Sequence, residues 1–231
     1  FLKRVYKIMN SSPSRIKFWK MHGLGNDYVL IDNREEKIQE HQLEKLARKL
    51  CVRRFSIGAD GILFLYNSLK ADVKMRIFNA DGSEAEMCGN GIRCFTKYCY
   101  ENRILKKTES TVETISGIKK TWLQFEKGKV SGVTVDMGKP VFEREQIPMI
   151  GKGKFIDEII DVDGSSYRAT CLSVGNPHCV IFVEDTDKFP VEETGPKIEH
   201  NRIFPKRTNV EFVQVLNKDE LKVRVWERGV G

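Results

Sequence analysis

No apolar run in this chain of 231 residues approaches the ~20 that a helix needs to span a bilayer, which argues against a membrane-spanning helical protein. Nor is there a basic stripe with interleaved aromatics. The net charge of +7 comes from lysines scattered among acids, as in EKGK at 126–129 and NKDE at 217–220, and describes a solvated mixed-charge surface rather than a nucleic-acid partner. No C-x-x-C pair occurs among the six cysteines at 51, 88, 94, 99, 171 and 179, which argues against a zinc site. Cys88 and Cys94 project from different faces of what reads as one helix, as do Cys94 and Cys99, so bridges between them are disfavoured. Reduced thiols in a cytoplasmic protein fit this pattern, with Cys51, Cys94, Cys99, Cys171 and Cys179 as small buried hydrophobes. Residues 1–15 lack the apolar core and cleavage site of a signal peptide. They show no clear pattern and read as an N-terminal extension.

What is present centres on 75–94, MRIFNADGSEAEMCGNGIRC. Met75–Phe78 alternates like a strand, 79–83 has turn composition, and Cys88 opens a helix running through Ile92, Phe95, Tyr98 and Cys99. At a helix N-terminus, free backbone N–H groups and the positive end of the helix dipole favour a thiolate. Cys88 is therefore a candidate nucleophile or base. Leu43, Leu46, Ala47 and Leu50 mark an amphipathic helix within 42–51. Short apolar strands at 28–32, 62–66, 112–115, 122–125 and 133–137 outnumber the helices, so the class is α+β.

The second half repeats the first. VKMRIFN at 73–79 matches LKVRVWE at 221–227 in character, at an offset of 148 residues. Gly25-Asn26 and the strand after it reappear as Gly175-Asn176 and 180–183 at an offset of 150, and DGI-x-F at 60–64 lies over TNV-x-F at 208–212. Three matches in one order imply two copies of one domain, 16–131 and 132–231, with a small-molecule cleft between equivalent loops. Cys88 follows Asn79 by nine residues, so its counterpart is expected nine residues after Glu227, five positions past Gly231. On this reading the second half is truncated before a second thiol. Two thiols facing one carbon centre suit racemisation or epimerisation, one removing a proton while the other supplies one to the opposite face.

These residues resemble the diaminopimelate epimerase family. KMHGLGNDYVLID at 20–32, IGADG at 57–61, FNADGSEAEMCGNGIRC at 78–94, GNPH at 175–178, RTNV at 207–210 and WERGVG at 226–231 stand in that family's order. The resemblance implies two pseudo-symmetric halves, each a β-barrel-like sheet around a central helix, with the second half incomplete. It implies conversion of LL-2,6-diaminopimelate, a small-molecule substrate, to the meso form in lysine and peptidoglycan-precursor biosynthesis. It also implies no cofactor, no metal and a homodimer. Carried onto this sequence, it makes Cys88 one of two catalytic cysteines and places a substrate carboxylate at Gly89 and Asn90. Asn26, Asn79, Asn176 and Asn209 become the amides that grip substrate, while Arg228 and Glu227 meet its remote carboxylate and ammonium. His178 and Glu227 become the groups that tune the thiols. Because the family's second catalytic cysteine is not among these residues, little or no turnover is expected of this chain alone. Two other readings are a proline or hydroxyproline racemase-like isomerase, against which the Asn209, Glu227 and Arg228 set argues, and a non-catalytic amino-acid-binding protein.

Overall fold

In a computed structural model describing residues 3–8 and 14–228, the first half of the chain becomes eleven strands and helices. In order they are β1 (Lys3–Ile8), β2 (Ser14–Gly23), β3 (Asn26–Asp32), α1 (Glu40–Leu50), β4 (Gly61–Tyr66), β5 (Val73–Asn79), β6 (Glu84–Ala85), α2 (Gly89–Glu101), β7 (Glu109–Thr114), β8 (Gly117–Glu126) and β9 (Lys129–Val135). One sheet takes them in the order β1-β2-β3-β4-β5-β7-β8-β9, with β6 on β5. The patternless N-terminal stretch contributes β1, which pairs antiparallel with β2 from Lys3↔Trp19 to Ile8↔Ser14. Edge pairing satisfies backbone groups whatever the side-chain pattern, so periodicity gave no sign of it.

Val29, Leu30 and Ile31 of β3 and the run Gly61–Leu65 of β4 are buried on both faces, as expected of a parallel pair covered on either side. Leu43, Leu46, Ala47 and Leu50 of α1 close one face with Phe64 and Phe78. On the other face Ile92, Phe95, Tyr98 and Cys99 of α2 pack against Leu30, Leu63, Met75 and Ile77. Since α2 touches β2, β3, β4, β5, β8 and β9, the sheet curls around it. Burial of side chains such as Ile92 and Phe95, both 0% exposed, contributes about 1.5–3 kcal/mol each to fixing that helix. Asn102 caps its far end through a bond from Nδ2 to the Tyr98 carbonyl at 2.9 Å.

The chain divides into two compact units, Phe1–Met137 and Gly138–Gly231. Strand β9 runs through Ser131 and Gly132, so the division falls just after it. The second unit holds β10 (Glu158–Val162), β11 (Ser165–Ser173), β12 (Pro177–Phe182), α3 (Val191–Glu199), β13 (Asn209–Asn217) and β14 (Glu220–Trp226). Its sheet order is β10-β11-β12-β13-β14. Helix α3 forms despite Gly195 and Pro196, two residues of poor helix propensity. A Cβ at position 195 would lie 2.5 Å from the Trp226 side chain, so glycine lets the indole seat directly on the helix. Trp226 Nε1 also donates to Glu199 Oε2 at 2.7 Å. Tertiary packing outweighs local preference here.

The repeat is visible as register. Ile62↔Phe78 in the first unit becomes Val210↔Trp226 in the second, each residue displaced by 148. The parallel pair Tyr28↔Gly61 becomes His178↔Asn209. Burial does not repeat along with it: Val73, Met75 and Ile77 are 3%, 1% and 3% exposed beneath α2, whereas Leu221, Val223 and Val225 are 57%, 46% and 45% exposed.

Candidate active site

Strands β3 and β4 begin, and β5 ends, at the edge of the first sheet where α2 starts. Cys88 is the N-cap of α2, with extended backbone (φ −144°, ψ 115°), and its Sγ accepts from the Gly91 N–H at 3.3 Å. A Cβ on Gly91 would come within 3.1 Å of a Leu63 methyl carbon, so glycine lets the first turn rest directly on β4. That seating brings Cys88 Sγ to 2.9 Å from the hydroxyl of Tyr28 on β3. A Cβ on Gly89, in contrast, would meet nothing within 4 Å. The space beside Gly89 is thus unfilled among the described residues, next to a first turn whose leading N–H groups have no intrahelical acceptor.

Asn26 and Asn90 lie side by side: Asn90 Nδ2 donates to Asn26 Oδ1 at 2.5 Å, and Arg93 donates to Asn90 Oδ1. The loop that carries Asn26 is fastened by Asp60 of the IGADG motif, whose Oδ2 accepts from the Asp27 backbone N–H at 2.9 Å. Arg53 bridges Asp27 and Asp60 at 2.6 Å each, and Lys20 pairs with Asp27 at 2.6 Å. Burial raises the Asp27 carboxyl, but hydrogen bonds from Arg53 and Lys20 and their charges outweigh it and bring the pKa down to about 2. A cavity of about 380 Å³ beside this ion cluster is lined by Lys20, Met21, His22, Gly25, Asp27 and Arg53; Cys88 is not part of its lining. Asn79 sits at the end of β5 opposite Gly61, with its Nδ2 donating to Ser83 Oγ at 3.0 Å.

Cys88 is the one cysteine of six that is partly exposed. Burial pushes the Cys51 thiol up to about 12 and the Cys94 thiol up to about 11, and raises Cys99 as well. The neighbouring Cys171 side chain, then burial, does the same for Cys179.

In the second unit Asn176, His178, Asn209 and Arg228 come together at the corresponding edge. His178 Nε2 lies 2.9 Å from Asn176 Oδ1, and its Nδ1 lies 2.6 Å from Glu211 Oε1. Asn209 works as a clamp, donating from Nδ2 to the Pro177 carbonyl at 2.9 Å and accepting from the Arg228 N–H at 3.0 Å. Arg228 Nη1 donates to the Lys206 carbonyl at 3.3 Å, and Glu227, half-buried, follows β14 directly.

Three residues that sequence reasoning passed over stand in these clusters, Tyr28, Asp60 and Glu211, together with Arg93, which the sequence reads as helix-surface charge. Glu211 Oε2 is buried without a hydrogen-bond partner among the described residues. Its signal was available: a carboxylate two residues after Asn209 on an apolar strand shares that residue's face. Tyr28 gave no such signal, because its contact spans sixty residues of sequence. Among the described residues no three His, Cys, Asp or Glu side chains are grouped to hold a metal ion, and no helix is long and apolar enough to cross a membrane.

A family model described as Diaminopimelate epimerase matches residues 18–143 and 170–231. The diaminopimelate epimerase of Moorella thermoacetica is 57% identical over 215 residues, covering 93% of this chain and 77% of that protein. That of Methanothermobacter thermautotrophicus is 49% identical over 219 residues, covering 94% and 77%. Among solved structures, a hydroxyproline epimerase from Agrobacterium vitis is similar at TM-score 0.67 and 17% identity, covering 91% of this chain and 69% of that one. A predicted epimerase from Pseudomonas aeruginosa is similar at TM-score 0.58 and 15% identity, covering 93% and 74%. At such identities the structural likeness speaks for the fold alone.

Proposed function

The chain belongs to the diaminopimelate epimerase family and is an isomerase of that class, and on this premise we propose that Cys88 exchanges the α-proton of LL-2,6-diaminopimelate on its way to the meso form. One observation carries the assignment: the partly exposed thiol caps α2, and the space beside Gly89, the first residue of that helix, is unfilled among the described residues. The substrate's α-carboxylate binds at the N–H groups of Gly89 and Asn90, where the helix dipole presents its positive end. The thiolate of Cys88 then removes the α-proton. The C–H bond breaks, an S–H bond forms, and the electron pair left on carbon spreads into the carboxylate held by those N–H groups. A proton delivered to the opposite face completes inversion.

Asn26, held by Asn90 and Asp60, and Asn79 orient the reacting end. Asn176, Asn209, Glu227 and Arg228 serve the rest of the substrate, with a guanidinium suited to the remote carboxylate. His178, oriented by Glu211, and Glu227 act on the proton-transfer groups. Family membership supports these roles, a cytoplasmic homodimer, and a place in lysine and peptidoglycan-precursor biosynthesis. A proline racemase-like activity has only the shared fold behind it. The test is solvent deuterium entering the α-carbon. The proposal expects incorporation into LL-2,6-diaminopimelate and none into L-proline or trans-4-hydroxy-L-proline, and the reverse preference overturns it.

A further inference from the structure

We propose that Tyr28 is the positioning residue of Cys88: its hydroxyl fixes the sulfur at the mouth of α2 and hydrogen-bonds it in both protonation states. The inference rests on the reading of Cys88 as a proton-transfer group, and its geometry lies within one unit. Tyr28 is 4% exposed, and its ring belongs to the core packed around α2. Its backbone is locked by parallel pairing with Gly61, where any Cβ would strike the Phe78 carbonyl at 2.7 Å. The phenol oxygen therefore stands on a rigid strand, 2.9 Å from Cys88 Sγ. The Gly91 N–H reaches the same sulfur at 3.3 Å.

Chemistry gives the phenol two settings. Facing a thiolate, Tyr28 O–H donates to sulfur, as the Gly91 N–H does, and the two donors share the charge. Once Sγ has taken the α-proton, the new S–H can donate to the phenol oxygen, whose own hydrogen rotates away. Tyr28 keeps its proton throughout, so only the C–H and S–H bonds change. Phenylalanine at this position would fill the same space in the core and leave the sulfur, among the described residues, with the Gly91 donor.

The repeat strengthens the assignment. His178 stands where Tyr28 stands: Tyr28↔Gly61 and His178↔Asn209 are the same register position of the two units. Each half thus presents an aromatic ring bearing a polar hydrogen at one strand position, a phenol in the first and an imidazole in the second. The imidazole is held by Glu211 and Asn176, the phenol by Cys88.

The test is the pH dependence of Cys88 alkylation by iodoacetamide, read by peptide mass spectrometry, which separates it from the five buried thiols. Among the described residues the ionisable groups bearing on the sulfur are Tyr28 from β3 and Cys94 from α2, with Arg93 in turn acting on Cys94. With Tyr28→Phe the alkylation profile should move to higher pH, and the rate at neutral pH should fall about tenfold, the loss expected for one hydrogen bond to a charged group. A profile superimposable on that of the unmodified chain overturns the proposal. The substitution removes a single oxygen, and a circular-dichroism melt establishes that alkylation is read below the unfolding transition. Because alkylation needs no substrate, failure of the epimerase reading would show in the deuterium assay and leave this result standing.

Discussion

Two glycines separated by one residue should respond oppositely to the same change. In an α-helix each Cα–Cβ bond tilts toward the N-terminus, so a methyl on Gly89 would project out of the mouth of α2, where no described residue lies within 4 Å. Gly89→Ala therefore meets no clash and restricts the unfolded chain, a gain of about 0.4–1 kcal/mol. The same methyl takes the space assigned to the substrate carboxylate. Losing one charge-assisted hydrogen bond there costs about 1.5–3 kcal/mol, or roughly 10–100-fold in affinity. Gly91→Ala carries the same entropic gain but drives its methyl to 3.1 Å from Leu63 and 3.5 Å from Cys88 Sγ. Overpacking of about 1–3 kcal/mol then outweighs the gain and lifts the first turn off β4. Urea titration measures the stabilities and isothermal titration with LL-2,6-diaminopimelate measures the affinities. A Gly89→Ala chain that binds diaminopimelate as tightly as the parent would refute the carboxylate site at α2.

Further outcomes follow from packing and charge. Ile77 and Val225 are repeat equivalents at 3% and 45% exposure, so Ile77→Ala should cost about 2–5 kcal/mol and Val225→Ala under about 1 kcal/mol, read as urea midpoints; equal costs would contradict the unequal covering of the two sheets. The exposed stripe Leu221, Val223 and Val225 should also bind a hydrophobic dye under native conditions, and Val223→Lys should reduce that signal without lowering the melting temperature. The Asp27 carboxyl is depressed in the fold to about 2 from an ordinary 3.8, so its stabilisation is complete above about pH 4 and is lost as the pH falls toward 2. Asp27→Asn should lower stability at pH 7 by about 1–2 kcal/mol, allowing for screening at the exposed Arg53, and flatten the acid-unfolding curve in that window.

Local chemistry in the sequence located the start of α2. The turn at 79–83 and the small residues after Cys88 place the start of α2 without reference to anything distant, and its N-cap is Cys88. The offset of 148 appears in the structure as strand register. What the sequence hid depends on distant partners. Helix α3 is held by Trp226 against the preference of Gly195 and Pro196. The β10–β11 hairpin lacks a recognisable alternation, and β1 is defined by its pairing. Arg93 reads as helix-surface charge until its bond to Asn90 is seen. Tyr28 reads as one more apolar strand residue until α2 brings Cys88 against its hydroxyl.

The account turns on Cys88 acting at the α-carbon of diaminopimelate. Proton exchange on one face needs that thiol alone, so incubation of LL-2,6-diaminopimelate in deuterium oxide, followed by mass spectrometry of the recovered amino acid, reads it directly. Deuterium should enter the α-carbon with the native chain and fall by about 10²–10⁴-fold with Cys88→Ala, the range lost with a general base. Exchange that persists in Cys88→Ala, or that is absent from both proteins, contradicts the account.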